Sequence, residues 1–303
     1  MKIAITGIGG VGGFFGGLLA QHYTGSSIEI FFIARGENER AIRENGLRMQ
    51  TMNGDFTVHP AMVTNDPGDI GKVDLLLCCT KGYDLEGAIL HCSPCISEKT
   101  IILPLLNGVD ARHRIEKIFP DNEIWDGCVY LVSRLAEPGL VKETGNIRKL
   151  FFGSESGKPD MLEAIERIFI DAGIEATWSR NIEETIWEKF LFISPIATLT
   201  SYLDKTIAEV FADEESEKLL QHLVAEIKDV ADAKGIRLSE NTTAKNIEKM
   251  RSLPPETTSS MHSDFRKGGR TEVESLTGYV VSLAQTIAVS TPVYVKMFEK
   301  LRC

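Results

Sequence analysis

The feature that most constrains this chain lies at its start. A short apolar run, "KIAITG", leads into Gly7-Ile8-Gly9-Gly10-Val11-Gly12. The next stretch has helical apolar spacing, and a second apolar run, "IEIFFIAR", follows. Strand, glycine-rich turn, helix and strand make a βαβ unit. Gly7, Gly9 and Gly12 carry the spacing of a dinucleotide fingerprint. The first glycine permits the tight turn, the second admits the backbone to a pyrophosphate, and the third lets the helix pack on the strand. Gly10 and Val11 complete the turn, and phosphates would meet the free N–H groups at the positive helix end. Glycine spacing alone is a weak signal; the strand before it and the helix after it make it a cofactor site.

The end of the second strand selects the cofactor. An NAD site places an acid there for the ribose 2′-hydroxyl, whereas this strand ends on Ala34-Arg35-Gly36. An arginine attracts a 2′-phosphate and can stack beside adenine, so NADPH is expected. Two later runs, "VDLLLCCT" before Lys81 and "TIILPLL" before Asn107-Gly108, repeat the strand pattern. Ligands bind beyond the carboxyl ends of such strands, which places Arg35, Lys81 and Asn107 on one rim. Lys81 is a second candidate for the 2′-phosphate, and Asn107 for nicotinamide or substrate; Asn-Gly equally suits a plain turn. "LRMQTMNGDFTVHP" reads as a hairpin around Asn53-Gly54. "EIWDGCVYLVSRL", "GLVKETG" and "RKLFFG" read as further strands, with turns at Pro138-Gly139 and Gly145-Asn146, extending the sheet in antiparallel fashion.

Past Trp178 the texture becomes helical. "DEESEKLLQHLVAEIKDVADAKGI" has helical apolar spacing and ends on Gly235, a C-cap. "TEVESLTGYVVSLAQTIAV" is another helix, with Thr271 and Glu274 at capping-box spacing. The expected layout is α/β: a dinucleotide-binding domain over 1–178, then an all-helical domain over 179–303, with substrate in the cleft between them. A net charge of -10 argues against nucleic acid or anionic membrane as partner. No apolar run is long enough to span a bilayer, and "MKIAITGIGG" lacks the order of a signal peptide, so a cytoplasmic location is expected. The six cysteines include one C-x-x-C, Cys92 and Cys95, without a second ligand pair, so no metal site is read.

Lys189 sits in "IWEKFLFISPIATLT", an apolar helical run that also holds Pro195. By pattern alone it is a lysine whose stem packs while its head reaches water. In a carbonyl reductase the same group would stabilise the alkoxide and supply its proton. Glu272 falls in the first turn of its helix, where an acid also complements the dipole. Ser260 has the spacing of an N-cap. The Gly268-Gly269 break allows Ser260 and Glu272 to converge.

Taken together, the chain resembles the ketopantoate reductase (2-dehydropantoate 2-reductase) family over nearly its whole length. The resemblance rests on "GIGGVGG", "AR", "TKGYD", "LPLLNGVD", "AEPGLVKETG", "IWEKF", "TLTS…KTIAEV" and "SSMHSDFRKGGRTEVESLTGYVV". It implies a Rossmann-type domain followed by a helical domain like the C-terminal part of 6-phosphogluconate dehydrogenase. It also implies NADPH-dependent reduction of ketopantoate to pantoate in pantothenate biosynthesis. By position, Lys189 matches the proton-donating lysine and Glu272 the glutamate that holds the substrate hydroxyl. Ser260 matches a substrate contact, Asn107 the loop asparagine near nicotinamide and substrate, and Arg35 and Lys81 the 2′-phosphate contacts. One departure stands out: Ile193 and Ala197 occupy positions where asparagines are typical. Ser194 is the polar side chain left to substitute, if Pro195 distorts the helix. The alternatives are a reductase of another 2-oxo acid, or an NADP-binding sensor without turnover. The expected partner is a small 2-oxo acid, and the sequence leaves a homodimer open.

Overall fold

A computed structural model describes residues 1–302 of the chain. It divides into two units, Met1–Leu106 with Asp110–Ile182, and Asn107–Val109 with Glu183–Cys303. The break falls four residues beyond the expected boundary at 178, and three loop residues, Asn107 to Val109, group with the helices.

The first unit is built on a parallel sheet of β1 (Lys2–Thr6), β2 (Glu29–Ile33), β5 (Met62–Thr64), β6 (Leu75–Cys78) and β7 (Ile101–Pro104). Their order is β5-β2-β1-β6-β7, the arrangement of a Rossmann-type domain. The strands read as unbroken apolar runs because both faces are covered. Ile3, Ile5, Ile30, Phe32, Leu75 and Leu77 enter one core, while Ala4, Phe31, Ile33, Leu76 and Cys78 enter the core on the opposite face. Cys92 and Cys95 lie in that second core, fully buried, with the Cys95 thiol donating to the Cys92 carbonyl at 3.1 Å.

The remaining strands do not extend this sheet. β3 (Leu47–Thr51), β4 (Gly54–Val58), β8 (Asp126–Glu137), β9 (Leu140–Gly153) and β10 (Glu175–Trp178) form a second sheet. The hairpin at Asn53-Gly54 is present as the antiparallel pair β3–β4, and β3 joins β9 in parallel. The expected turn at Gly145-Asn146 is instead a bulge inside β9. The β8–β9 register shifts there from Leu131↔Arg148 to Ser133↔Glu143, and Gly145 takes φ +117°. The Arg148 guanidinium closes the bulge with two bonds to the buried Glu143 carboxylate, at 2.6 and 2.8 Å. A positive-φ glycine therefore kinks this strand without reversing it.

Between the sheets runs α1 (Gly10–His22). Added methyl groups on Gly12 and Gly16 would strike Ile5, Cys79 and Phe32 on the first-sheet side. On Gly10, Gly13 and Gly17 they would strike Ser133, Val141 and Met49 on the second. The glycine excess in "GIGGVGGFFGG" is thus the footprint of a helix packed closely on both flanks. Three further helices complete what matters of this unit: α2 (Gly36–Asn45), α3 (Leu85–His91) and α4 (Ala111–Glu116); α5 (Pro159–Asp171) packs beside β10.

The second unit is helical: α6 (Ile182–Leu203), α7 (Ile207–Phe211), α8 (Glu214–Lys234), α9 (Thr242–Arg251), α10 (Ser260–Arg266), α11 (Tyr279–Thr286) and α12 (Pro292–Leu301). α8 ends on Gly235 in the left-handed region, as its sequence requires. α6 runs through Pro195 without a break. The capping box lies at Thr206 and Glu209 of α7. At the other candidate pair, the Glu274 carboxylate turns toward Gly278, within a single π-helical turn, Glu274–Gly278, that opens α11.

Candidate active site

In the first unit, the strand order puts the ends of β1, β2 and β6 side by side. Gly7, directly after β1, has φ +87°, and a Cβ there would lie 2.8 Å from the Cys79 carbonyl and Thr80 N. Only glycine satisfies both the angle and the space. Gly9 differs: a Cβ would meet nothing within 4 Å, so its outer side is open to a ligand. The first α1 ladder bond runs from Gly13 N to Gly9 O at 2.9 Å. The N–H groups of Gly10, Val11 and Gly12 precede it and form the positive helix end. Open backbone and helix terminus together fit a pyrophosphate.

Arg35 follows β2, is exposed, and stands at the N-cap of α2 in extended conformation. Lys81 follows β6, half-buried, at the head of a 3-10 turn over Gly82–Asp84. Arg114 fixes that turn: it donates to Gly82 O at 2.6 Å and to both Glu86 oxygens at 2.7 Å. The hydrogen-bonded guanidinium holds the Glu86 carboxyl below its usual range.

In the second unit, Lys189 lies on α6 with 9% of its surface exposed. Its Nζ donates to Asn107 Oδ1 at 3.0 Å. Asn107 belongs to the helical unit although it follows the last strand of the first sheet, and Gly108 beside it takes φ +106°. Glu272 is 2% exposed and stands two residues before the π turn, and its carbonyl accepts from Leu276 N within that turn at 2.9 Å. Hydroxyls of α6 hold that turn. Ser194 Oγ donates to Leu276 O at 2.7 Å, and Thr198 pairs with Thr277 at 2.8 Å.

These bonds correct one expectation. Ser194 is fully buried and shares its hydroxyl with the Leu276 carbonyl and the Tyr294 hydroxyl, both at 2.7 Å. It ties helices together in the core and presents nothing to a substrate. Of the two apolar replacements, Ala197 is buried and Ile193, one turn beyond Lys189, is partly exposed. Ser260 is exposed at the first turn of α10, while the capping role falls to Ser259, whose Oγ accepts from His262 N at 3.0 Å. Thr198, Thr277 and the π turn were not legible in sequence, since their pairing is tertiary.

The profile described as "Ketopantoate reductase PanE/ApbA" matches residues 3–157, and that of the "Ketopantoate reductase PanE/ApbA C terminal" matches 181–302. The chain belongs to the ketopantoate reductase family. Family relatives extend over its full length. The uncharacterized oxidoreductase YkpB of Bacillus subtilis is 26% identical, covering 100% of this chain and 98% of that protein. The 2-dehydropantoate 2-reductase of Halobacterium salinarum is 27% identical with the same coverage. Among solved structures, the 2-dehydropantoate 2-reductase of Porphyromonas gingivalis superposes with a TM-score of 0.88 at 34% identity, covering 100% and 99% of the two chains. A ternary structure of D-mandelate dehydrogenase with NADH and anilino(oxo)acetate superposes at 0.87 with 26% identity, covering 100% and 97%. Ketopantoate reductase family membership makes this chain a dinucleotide-dependent oxidoreductase. No described helix is long and apolar enough to cross a membrane.

Proposed function

We propose that this protein reduces 2-dehydropantoate to pantoate with NADPH, in pantothenate biosynthesis and in the cytoplasm. The observation that carries the reading is the buried Lys189 ammonium, held by Asn107 Oδ1 at 3.0 Å. When bound, the dinucleotide supplies hydride to the 2-oxo carbon. Lys189 then stabilises the negative charge gathering on the carbonyl oxygen and gives that oxygen its proton. Asn107 orients the ammonium, Glu272 holds the substrate hydroxyl, and Ser260 contacts the substrate. Gly7, Gly9, Gly10, Val11 and Gly12 receive the pyrophosphate, and Arg35 with Lys81 the 2′-phosphate. The test is steady-state oxidation of NADPH by ketopantoate. Lys189→Ala should lose about 10²–10⁴-fold in kcat, and Arg35→Ala should erase the preference for NADPH over NADH. Absence of wild-type turnover, or full turnover by Lys189→Ala, overturns the reading.

A second reading keeps the chemistry and changes the acid. It is supported by Ile193, apolar and partly exposed on the Lys189 face of α6, and by the likeness to a dehydrogenase solved with anilino(oxo)acetate. A site without amides there loses its means of selecting a hydroxylated substrate. Across a panel of 2-oxo acids, a higher kcat/KM for a branched or aromatic member than for ketopantoate selects this reading; the reverse order rejects it. Binding of NADPH with no turnover of any panel member would indicate a sensor.

A further inference from the structure

Asn38 lies in the first turn of α2, three residues beyond Arg35. Its side-chain amide bonds the backbone of two distant segments. Nδ2 donates to Ile8 O at 2.8 Å, and Oδ1 accepts from Gly139 N at 2.8 Å. Ile8 stands between the first two glycines of the phosphate-binding turn. Gly139 forms the β8–β9 turn at φ +72°, and its own carbonyl accepts from Arg48 N at 2.8 Å. The approach to α2 is close: a Cβ on Gly139 would lie 3.0 Å from Ala41 Cβ. β8 also bears on the phosphate-binding turn, since a Cβ on Gly10 would fall 2.4 Å from Ser133 O. One amide thus joins the glycine turn, the start of α2 and the β8–β9 hairpin.

The arrangement suits an anion site. Peptide groups flanked by glycine rotate easily, and a carbonyl swung toward a phosphate repels it while an N–H attracts it. Asparagine offers a donor and an acceptor on one short planar group, so it can hold a carbonyl of one segment and an N–H of another. We propose that Asn38 is a positioning residue for the pyrophosphate of the dinucleotide. By engaging Ile8 O it fixes the orientation of the glycine turn against the element that begins at Arg35, and by engaging Gly139 N it ties the β8–β9 hairpin to that same element. The proposal rests on the cofactor reading above. It assigns Asn38 to the part of the ligand that NADH and NADPH share, and leaves the 2′-phosphate to Arg35.

The test is fluorescence titration of the full chain with NADPH and with NADH, at a temperature where circular dichroism shows each variant folded. Asn38→Ala loses both bonds and should weaken both dinucleotides by the same factor, about tenfold, the size of the lost hold on Ile8 O. Asn38→Asp keeps the acceptor for Gly139 N but loses the donor to Ile8 O, and should weaken both at least as much. KM for the cofactor should rise in step while kcat at saturation holds. Arg35→Ala should weaken NADPH alone. A folded Asn38 variant that binds both dinucleotides within about twofold of the wild type overturns the proposal, as does one that weakens NADPH only. Should neither variant fold, amide exchange on the wild type decides. Gly139 N–H should gain protection together with residues 8–10 when NADPH is added, and an unchanged Gly139 overturns the proposal. Wild-type protein that binds neither dinucleotide instead overturns the cofactor reading beneath it.

Discussion

A buried ammonium keeps its proton only where acceptors replace water, and at Lys189 one of them is Asn107 Oδ1 at 3.0 Å. Asn107→Ala should lower kcat by about 10- to 100-fold, because the ammonium has lost a group that orients it. Steady-state kinetics at saturating substrate check this. Glu226 gives a stability prediction. It accepts from Val293 N and Tyr294 N at 2.8 and 3.0 Å, capping α12, yet burial pushes its carboxyl above the usual 4.5. Because the folded pKa is the higher one, its contribution is fully present below 4.5 and declines as pH rises toward the raised value. The melting temperature of the wild type should therefore fall relative to that of Glu226→Gln as pH rises across that window. Single residues were legible where one local rule sufficed, as at Gly7 and Gly235. Ser194 was not, because its partners, Leu276 and Tyr294, lie 82 and 100 residues away. The cap at Ser259 was misplaced by one residue, a distinction that depends on backbone angles.

The element that most repays substitution is α1. Gly10→Ala drives a methyl group to 2.4 Å from a backbone oxygen of β8, which cannot move aside. About 2–4 kcal/mol of stability should go, with weakened dinucleotide binding. Gly17→Ala meets only the Met49 thioether, a flexible chain end, at 2.7 Å. Alanine also favours helix over glycine by about 1 kcal/mol, so this change should be near neutral. Paired urea titrations separate the two cases. Strand and helix runs were readable from their apolar periods, and the β3–β4 hairpin from Asn-Gly. Sheet membership was not: β8 and β9 look locally like added strands, and only long-range pairing shows that they belong to a second sheet. The β9 bulge was hidden for a related reason, since a positive-φ glycine serves a turn and a bulge equally.

At the scale of the whole molecule, the cofactor candidates other than Asn107 belong to the first unit, and the acid–base candidates to the second. Excess NADPH at about a hundred times its Kd should stabilise what it binds by about 2.7 kcal/mol. Hydrogen exchange should show that gain chiefly in the amides of β1, β2 and β6; a gain confined to α8 and α12 would contradict the assignment. The division itself was visible in the change from short apolar runs to helical spacing near Trp178. That Asn107, a loop residue after a strand, belongs with the helices was not. Helix α1 carries one further consequence. From Gly12 to Ala20 only Leu18 has any open side, so the segment is gripped by a sheet on each flank and has nowhere to travel. The turn at its head is therefore set during folding, and a dinucleotide arriving there finds its donors already ordered. Association should be quick, with little entropy lost by the protein, and the flexible ligand does the adjusting.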